Sequence, residues 1–111
     1  TFHKHAGKLC KGVQIHVDDL AHYDHAAFRP WRLQVLAFKA IRRLWPDYPL
    51  WRDFGYEYEF ERLAIDLING SPLLREWVDD PAAVPADLDG PARADEAAWT
   101  EVRRPFLLYP A

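Results

Sequence analysis

The fold of this chain is decided by residues 30–44, which read PWRLQVLAFKAIRRL. Pro30 suits the first turn of a helix, where its missing N–H costs nothing, and Pro46 requires the helix to have ended before it. Apolar residues recur between them at helical spacing: Leu33, Leu36, Ala37, Ala40, Ile41 and Leu44, with Trp31, Val35 and Phe38 widening the face. The stretch predicts an amphipathic helix covered on two sides, with its basic residues, including Lys39, clustered elsewhere on the helical wheel.

Two other stretches alternate with the period of a β-strand. Residues 11–18 place Val13, Ile15 and Val17 on one face and polar residues on the other. Residues 56–61 read YEYEFE, with an aromatic face and an acidic face. Because paired strands satisfy each other's backbone groups, we expect these two strands to lie side by side. The predicted fold class is α+β, a small β-sheet packed against several helices in a single compact domain.

The rest of the chain predicts shorter helices and one loop. Ala64 to Ile68 followed by Asn69-Gly70 indicates one or two helical turns, and Ser71-Pro72 indicates the start of another helix. Residues 79–94, with their prolines, predict a weakly packed loop before a last helix capped by Asp95. The apolar residues 106–109, FLLY, are expected to dock on the core.

Length and charge narrow the class of protein. The chain has 111 residues, of which half are apolar, which is enough for one core, so we expect a single domain over residues 1–111. A formal net charge of -3 offers no basic surface for nucleic acid, and no apolar run approaches the roughly 20 residues that span a bilayer. The opening residues contain neither an initiator Met nor a signal core, so we expect a piece of a longer protein.

The histidines form only weak metal-binding patterns. His3-x-His5 would share a strand face and His22-x-x-His25 a helix face, but no His-Glu-x-x-His motif or cysteine pair accompanies them. The lone Cys10 precedes a strand, where a small buried apolar residue is the expected role. We therefore expect no metal and no cofactor.

Candidate chemistry is confined to two short stretches. Glu57 and Glu59 would project from one strand face with stems roughly 6–7 Å apart, a separation comparable to that of glycosidase carboxylates. Alternating acids are equally typical of a solvated strand face. The tryptophans on helical stretches are explained by core filling, whereas Trp51-Arg52 follows Pro46 in a connection that could line a cleft.

The order of the sequence blocks carries a family resemblance. The blocks are LCKGVQIHV (9–17), FRP (28–30), LWP (44–46), YEYE (56–59), IDLING (65–70) and FLLY (106–109). In this order and spacing the chain resembles the C-terminal domain of the exo-β-N-acetylmuramidase family, over nearly its whole length. The resemblance implies a parent enzyme that removes N-acetylmuramic acid from the non-reducing ends of peptidoglycan fragments.

The resemblance also implies how the parent enzyme is divided. Its partner would be an N-terminal Rossmann-like domain, with the active site in a cleft near the junction and the family's proposed catalytic glutamate in that N-terminal domain. No residue of this chain then inherits a catalytic role, and the chain alone is not expected to be an enzyme. Because the implied substrates are peptidoglycan fragments, a secreted or cell-envelope location is favoured over the cytoplasm, although such fragments are also met during recycling inside the cell.

An auxiliary domain of this kind could still form one wall of the cleft. The candidate substrate-binding residues are Trp51, Arg52, His16, Tyr56 and Glu59, of which Tyr56 and Glu59 match recurrent positions of the family pattern. An arginine at such a wall would suit the lactyl carboxylate of muramic acid. The alternative is a stand-alone, non-catalytic module that binds glycans or a protein.

Overall fold

The computed structural model describes residues 5–19 and 21–109 of the chain. Its elements, in chain order, are α1 (Pro30–Leu44), α2 (Ala64–Asn69), α3 (Leu73–Asp79), a 3₁₀ turn (Pro85–Leu88), α4 (Asp89–Arg103) and a second 3₁₀ turn (Arg104–Phe106). His3, one of the histidines considered for metal binding, lies outside the described residues. None of the helices among the described residues is long and apolar enough to cross a membrane.

The predicted α+β class is wrong, because the described residues contain helices but no β-strand or sheet. Residues 11–18 have the alternation of a strand but pair with no other described segment. The second predicted strand folds back on itself, and its only ladder contact is an isolated antiparallel bridge between Tyr56 and Glu59. Alternation specifies which face a strand would bury, but it does not supply the neighbouring strand that a sheet requires.

Helix α1 begins at Pro30 and ends before Pro46, as its sequence predicts. Its buried face, however, is centred on Val35, which is fully buried, while Leu33 and Leu44 remain exposed. Trp31 and Phe38 pack beside the buried cluster formed with α3 and the following segment: Val35, Leu74, Trp77, Val78, Ala83 and Leu88. Helix α1 carries apolar residues on two sides. The buried side is the one that α3 and the following segment cover.

Lys39 is buried in this interface, although the helical wheel places it with the basic residues and outside the apolar positions. Its ammonium donates hydrogen bonds to the carbonyl oxygens of Trp77, at 2.8 Å, and Asp80. It also lies 4.7 Å from the centre of the Trp77 ring. Lys39 therefore satisfies carbonyl groups at the end of α3 that have no partner within that helix.

Helix α2 is tied to its neighbours by polar side chains. Gly70 ends the helix with a φ of 81°, a left-handed conformation that favours glycine and that the Asn69-Gly70 pair predicts. The Trp31 indole N–H donates to the side-chain oxygen of Asn69 at 2.9 Å. The Arg75 guanidinium donates to both carboxylate oxygens of Asp66, with its shortest contact at 2.8 Å. These contacts join α2 to α1 and α3.

The second half of the chain differs from its prediction in two respects. Residues 79–94 are not a weakly packed loop, because Ala83 and Leu88 are buried in the core and α4 already begins at Asp89, not at Asp95. Proline is tolerated at the start of helical turns because its missing N–H is not needed there, which lets this proline-containing segment continue into helix. Helix α4 itself has no buried residue, and Trp99 is 62% exposed.

The terminal segment does not dock on the core as predicted. Phe106, Leu108 and Tyr109 are each at least 80% exposed, and Leu107 is 41% exposed. Helix α4, from which this segment continues, buries none of its own residues, so it does not carry the segment onto the core.

Candidate functional site

Asp79, the last residue of α3, anchors the connection in which the sequence places Trp51 and Arg52. Its two carboxylate oxygens accept separate hydrogen bonds, one from Arg42 Nε and one from Trp51 Nε1, both at 2.8 Å. The guanidinium of Arg42 also donates to the carbonyl oxygens of Pro46, at 3.1 Å, and Tyr48, at 3.0 Å. The Asp79 carboxylate and the Arg42 guanidinium thus attach the connection between α1 and α2 to both α1 and α3.

The Trp51 ring is held on its apolar side as well. It packs edge-on against Phe38 of α1, with ring centroids 5.6 Å apart and an interplanar angle of 73°. Trp51 therefore has a polar contact through its N–H and an apolar contact through its ring, which is the usual arrangement of a partly buried tryptophan. Its contacts with Phe38 and Asp79 hold Trp51 against the core, so the segment that follows Trp51 starts from a fixed position.

We expect removal of the Asp79 carboxylate to loosen this anchor. Asp79→Ala leaves the Arg42 Nε–H and the Trp51 indole N–H without their acceptor, at a cost of about 1–3 kcal/mol in the free energy of unfolding. Urea unfolding measures that cost, and hydrogen exchange of the Trp51 indole N–H, observed by NMR, reports the local loosening. The matched control is Asp47→Ala, an exposed acid in the same connection, which should change the stability by less than about 0.5 kcal/mol. Equal indole exchange in the two variants would contradict the anchor.

Beyond the anchor, residues 51–62 form a segment that we call the aromatic loop. Its sequence is WRDFGYEYEFER, and its aromatic side chains after Trp51 are exposed: Phe54, Tyr56, Tyr58 and Phe60. The Arg52 guanidinium lies 4.5 Å from the centre of the Phe54 ring, within cation–π distance. The loop therefore offers flat apolar faces and a positive charge to solvent.

A tight turn closes the middle of the aromatic loop. Tyr56 and Glu59 exchange backbone hydrogen bonds of 3.0 and 3.1 Å, and Glu57 between them has a φ of 54°. A residue with a Cβ adopts this left-handed conformation only at a cost, and such residues are concentrated in binding and catalytic segments. The turn also breaks the strand period, so the argument that Glu57 and Glu59 share one strand face no longer applies.

The Glu59 carboxylate is committed to the loop itself. It accepts two hydrogen bonds from the Arg62 guanidinium, at 3.0 and 2.8 Å, and one from the Glu61 N–H at 2.9 Å. The Glu61 N–H, followed by the Arg62 side chain, lowers the pKa of Glu59. A general acid for glycoside cleavage needs a raised pKa, so this carboxylate suits accepting hydrogen bonds and not proton donation.

The structure brings together four of the five candidate binding residues in one segment. Trp51, Arg52, Tyr56 and Glu59 all belong to the aromatic loop, and Tyr56 and Glu59 are directly paired. His16 lies on the separate segment before α1, where its Nδ1 is 3.7 Å from the Asp18 carboxylate, and both side chains are exposed. No described hydrogen bond or ring contact connects His16 to the aromatic loop.

Sequence reasoning missed the residues that hold this loop. The sequence places Arg42 only among the basic residues of α1 and Asp79 only at the start of the predicted loop over residues 79–94. The local sequence contains no signal that pairs them, because Arg42 and Asp79 are 37 positions apart. Phe54 and Arg62 carry a weaker signal, since both lie in the aromatic and charged stretch that was already singled out.

Other features of the surface offer less for a binding site. Two open grooves of about 350 and 340 Å³ flank Trp31, between the start of α1 and α4, and neither is lined by a candidate binding residue. Arg32, at the first of them, is paired with Asp89. Among the residues that the structure describes, no three His, Cys, Asp or Glu side chains are grouped so that they could hold a metal ion.

Comparison with known proteins gives one match. The family model described as exo-beta-N-acetylmuramidase NamZ, C-terminal, matches residues 1–109. No curated protein and no solved structure matches the chain. The matched range contains the whole aromatic loop and its anchor.

Proposed function

This chain belongs to the family of exo-β-N-acetylmuramidase NamZ C-terminal domains, and we propose that it is the auxiliary domain of a peptidoglycan-degrading glycoside hydrolase. A C-terminal domain of this family implies an N-terminal partner domain in the same protein. In our proposal the partner is Rossmann-like and supplies the catalytic acid, and the two domains enclose a cleft. The reaction removes N-acetylmuramic acid from the non-reducing end of peptidoglycan fragments.

The aromatic loop is the single observation that supports a substrate-facing role. It starts from a residue held by the core, Trp51, and presents exposed ring faces together with Arg52. Binding sites combine apolar surface with a few placed polar groups, and loops on a rigid scaffold commonly carry them. In our proposal Tyr56, Glu59 and His16 are further contacts, with the Glu59 carboxylate accepting hydrogen bonds from sugar hydroxyls.

Arg52 is the residue that we assign to the distinguishing group of the substrate. Muramic acid differs from glucosamine by a lactyl ether with a carboxylate, and a guanidinium binds a carboxylate through charge-assisted hydrogen bonds. The Phe54 ring under Arg52 restricts where the guanidinium lies, so less side-chain entropy would be lost on binding.

We expect Arg52→Ala in the full-length enzyme to lower kcat/KM on a chromogenic N-acetylmuramic acid glycoside by about tenfold to a hundredfold. This is the effect of losing a charged hydrogen bond of about 1.5–3 kcal/mol. Arg103→Ala, which removes an exposed arginine from the last turn of α4, is the control and should leave the kinetics unaltered. Unchanged kinetics of the Arg52→Ala enzyme would count against substrate contact by the loop.

The same assay separates the auxiliary domain from its alternatives. The full-length enzyme should turn over the glycoside and the 111-residue chain alone should not. Turnover by the chain alone would place the active centre in this domain. If a full-length protein without any such turnover still retains peptidoglycan fragments on the aromatic loop, the alternative of a non-catalytic binding module would hold instead.

A further inference from the structure

Residues 9–18, which we call the unpaired segment, are exposed throughout despite their apolar alternation. Leu9 and Val13 are 91% and 89% exposed, and Ile15 and Val17 are also largely open to solvent. The segment contains no helix, turn or bend. No backbone N–H or C=O of residues 9–18 is hydrogen-bonded to any described residue.

Such a segment carries two kinds of unsatisfied surface. Leu9, Val13, Ile15 and Val17 are apolar and exposed, and the backbone presents a row of free donors and acceptors, which is the template that strand pairing uses. Between Lys11 and Asp18 the only ionisable side chain is His16. Charges at both ends and an uncharged middle are the pattern of a strand whose centre is buried.

Within the part of the chain that the structure describes, the core does not cover this segment. The second alternating stretch, residues 56–61, is closed into its own turn and has no long edge to share. The radius of gyration is 17.4 Å, whereas a compact domain of about this length has roughly 13 Å. Part of the chain therefore lies away from the core in this structure.

We propose that the unpaired segment adds as a β-strand to the edge of a sheet in the N-terminal partner domain of the same protein. The segment lies in the N-terminal part of the matched range, which is the part of the C-terminal domain nearest along the chain to the N-terminal domain that the family implies. Linkage through one chain gives the two edges a high effective concentration, and backbone pairing needs little sequence specificity from the partner. This inference rests on the Rossmann-like partner domain of the proposed function and not on sugar binding by the aromatic loop.

Hydrogen exchange of the full-length protein tests the pairing directly. In the full-length protein, amides of residues 13–17 should exchange at least about a hundredfold more slowly than in the 111-residue chain, with the amides of α1 as the internal reference for folding. Equal exchange in the two proteins would overturn the proposal. Protection that appears in the 111-residue chain and grows with its concentration would also overturn the proposal, because the segment would then pair with a second copy of the chain.

A pair of substitutions tests which face is covered. Ile15→Asp should remove the protection of residues 13–17 and lower the thermal midpoint of the full-length protein, because it places a charge on the covered face. Gln14→Asp, on the opposite face, should leave the protection largely in place. Neither substitution should alter the stability of the 111-residue chain, where both positions are exposed. Unchanged protection in the Ile15→Asp protein would contradict the proposed strand, and Arg52→Ala should not affect this exchange in either case.

Discussion

Replacing Trp77 by alanine is expected to lower the free energy of unfolding by about 3–5 kcal/mol, the cost of removing a large buried aromatic side chain from a core. Trp77 is 8% exposed and lies in the buried cluster between α1 and α3. Its N–H donates to the Val84 carbonyl oxygen at 3.3 Å, and the Lys39 ammonium lies 4.7 Å from the centre of its ring. The substitution therefore removes apolar contact area, the hydrogen bond to the Val84 carbonyl oxygen and the ring beside the Lys39 ammonium.

The measurement is thermal or urea unfolding of the 111-residue chain, with a fall in Tm of about 10–20 °C for this loss. Trp99→Ala is the matched control, because it deletes the same side chain from the exposed surface of α4 and should change the stability by less than about 0.5 kcal/mol. If both tryptophans gave losses of equal size, the core would not be centred between α1 and α3.

Lys39→Met is expected to cost about 2 kcal/mol at neutral pH. Methionine preserves the buried stem of the side chain but cannot donate to the carbonyl oxygens of Trp77 and Asp80, and charged hydrogen bonds contribute about 1.5–3 kcal/mol each in such positions. Relief of the buried charge offsets part of this loss. Arg43→Met, an exposed basic residue one turn later on the same helix, serves as the control and should be nearly neutral.

The cost of Lys39→Met should also depend on pH. Burial, with the Arg43 charge adding to it, lowers the pKa of Lys39 from its ordinary value of 10.5. Between the lowered folded pKa and 10.5 the unfolded chain binds more protons at this residue than the folded chain, so the free energy of unfolding rises with pH in that window. The methionine variant lacks this titration. The stability difference between the two proteins should therefore be larger at pH 10 than at pH 7 in urea unfolding, and a smaller difference at pH 10 would contradict the assignment.

Local sequence was sufficient wherever the decisive contacts were local. The bounds of α1 follow from Pro30 and Pro46, and the end of α2 follows from Gly70, because φ restriction and helix capping act within a few residues. The same holds for the composition of the aromatic loop. Four of the five candidate binding residues lie in this loop because they are neighbours in the chain, although the sequence predicted a strand over residues 56–61.

Expectations that depended on distant partners were the ones that proved wrong. Two alternating stretches predicted a sheet, but neither has a strand beside it among the described residues. The burial of Lys39 was not predicted, because nothing near it in sequence reveals the carbonyl oxygens at the end of α3. Core filling was the expected role of Trp45 and Trp99, yet both are exposed. The helix period predicts which residues share a face, but it does not predict whether another element packs against that face.

The amino-acid sequence by itself determined both ends of α1, the end of α2, and the family to which the chain belongs. Tertiary structure alone decided which side of α1 is buried, that Asp79 holds Arg42 and Trp51, and that Lys39 lies inside. The physical reason is distance along the chain. Backbone sterics and capping act within one helical turn, whereas burial and ion pairing depend on groups that only folding brings together.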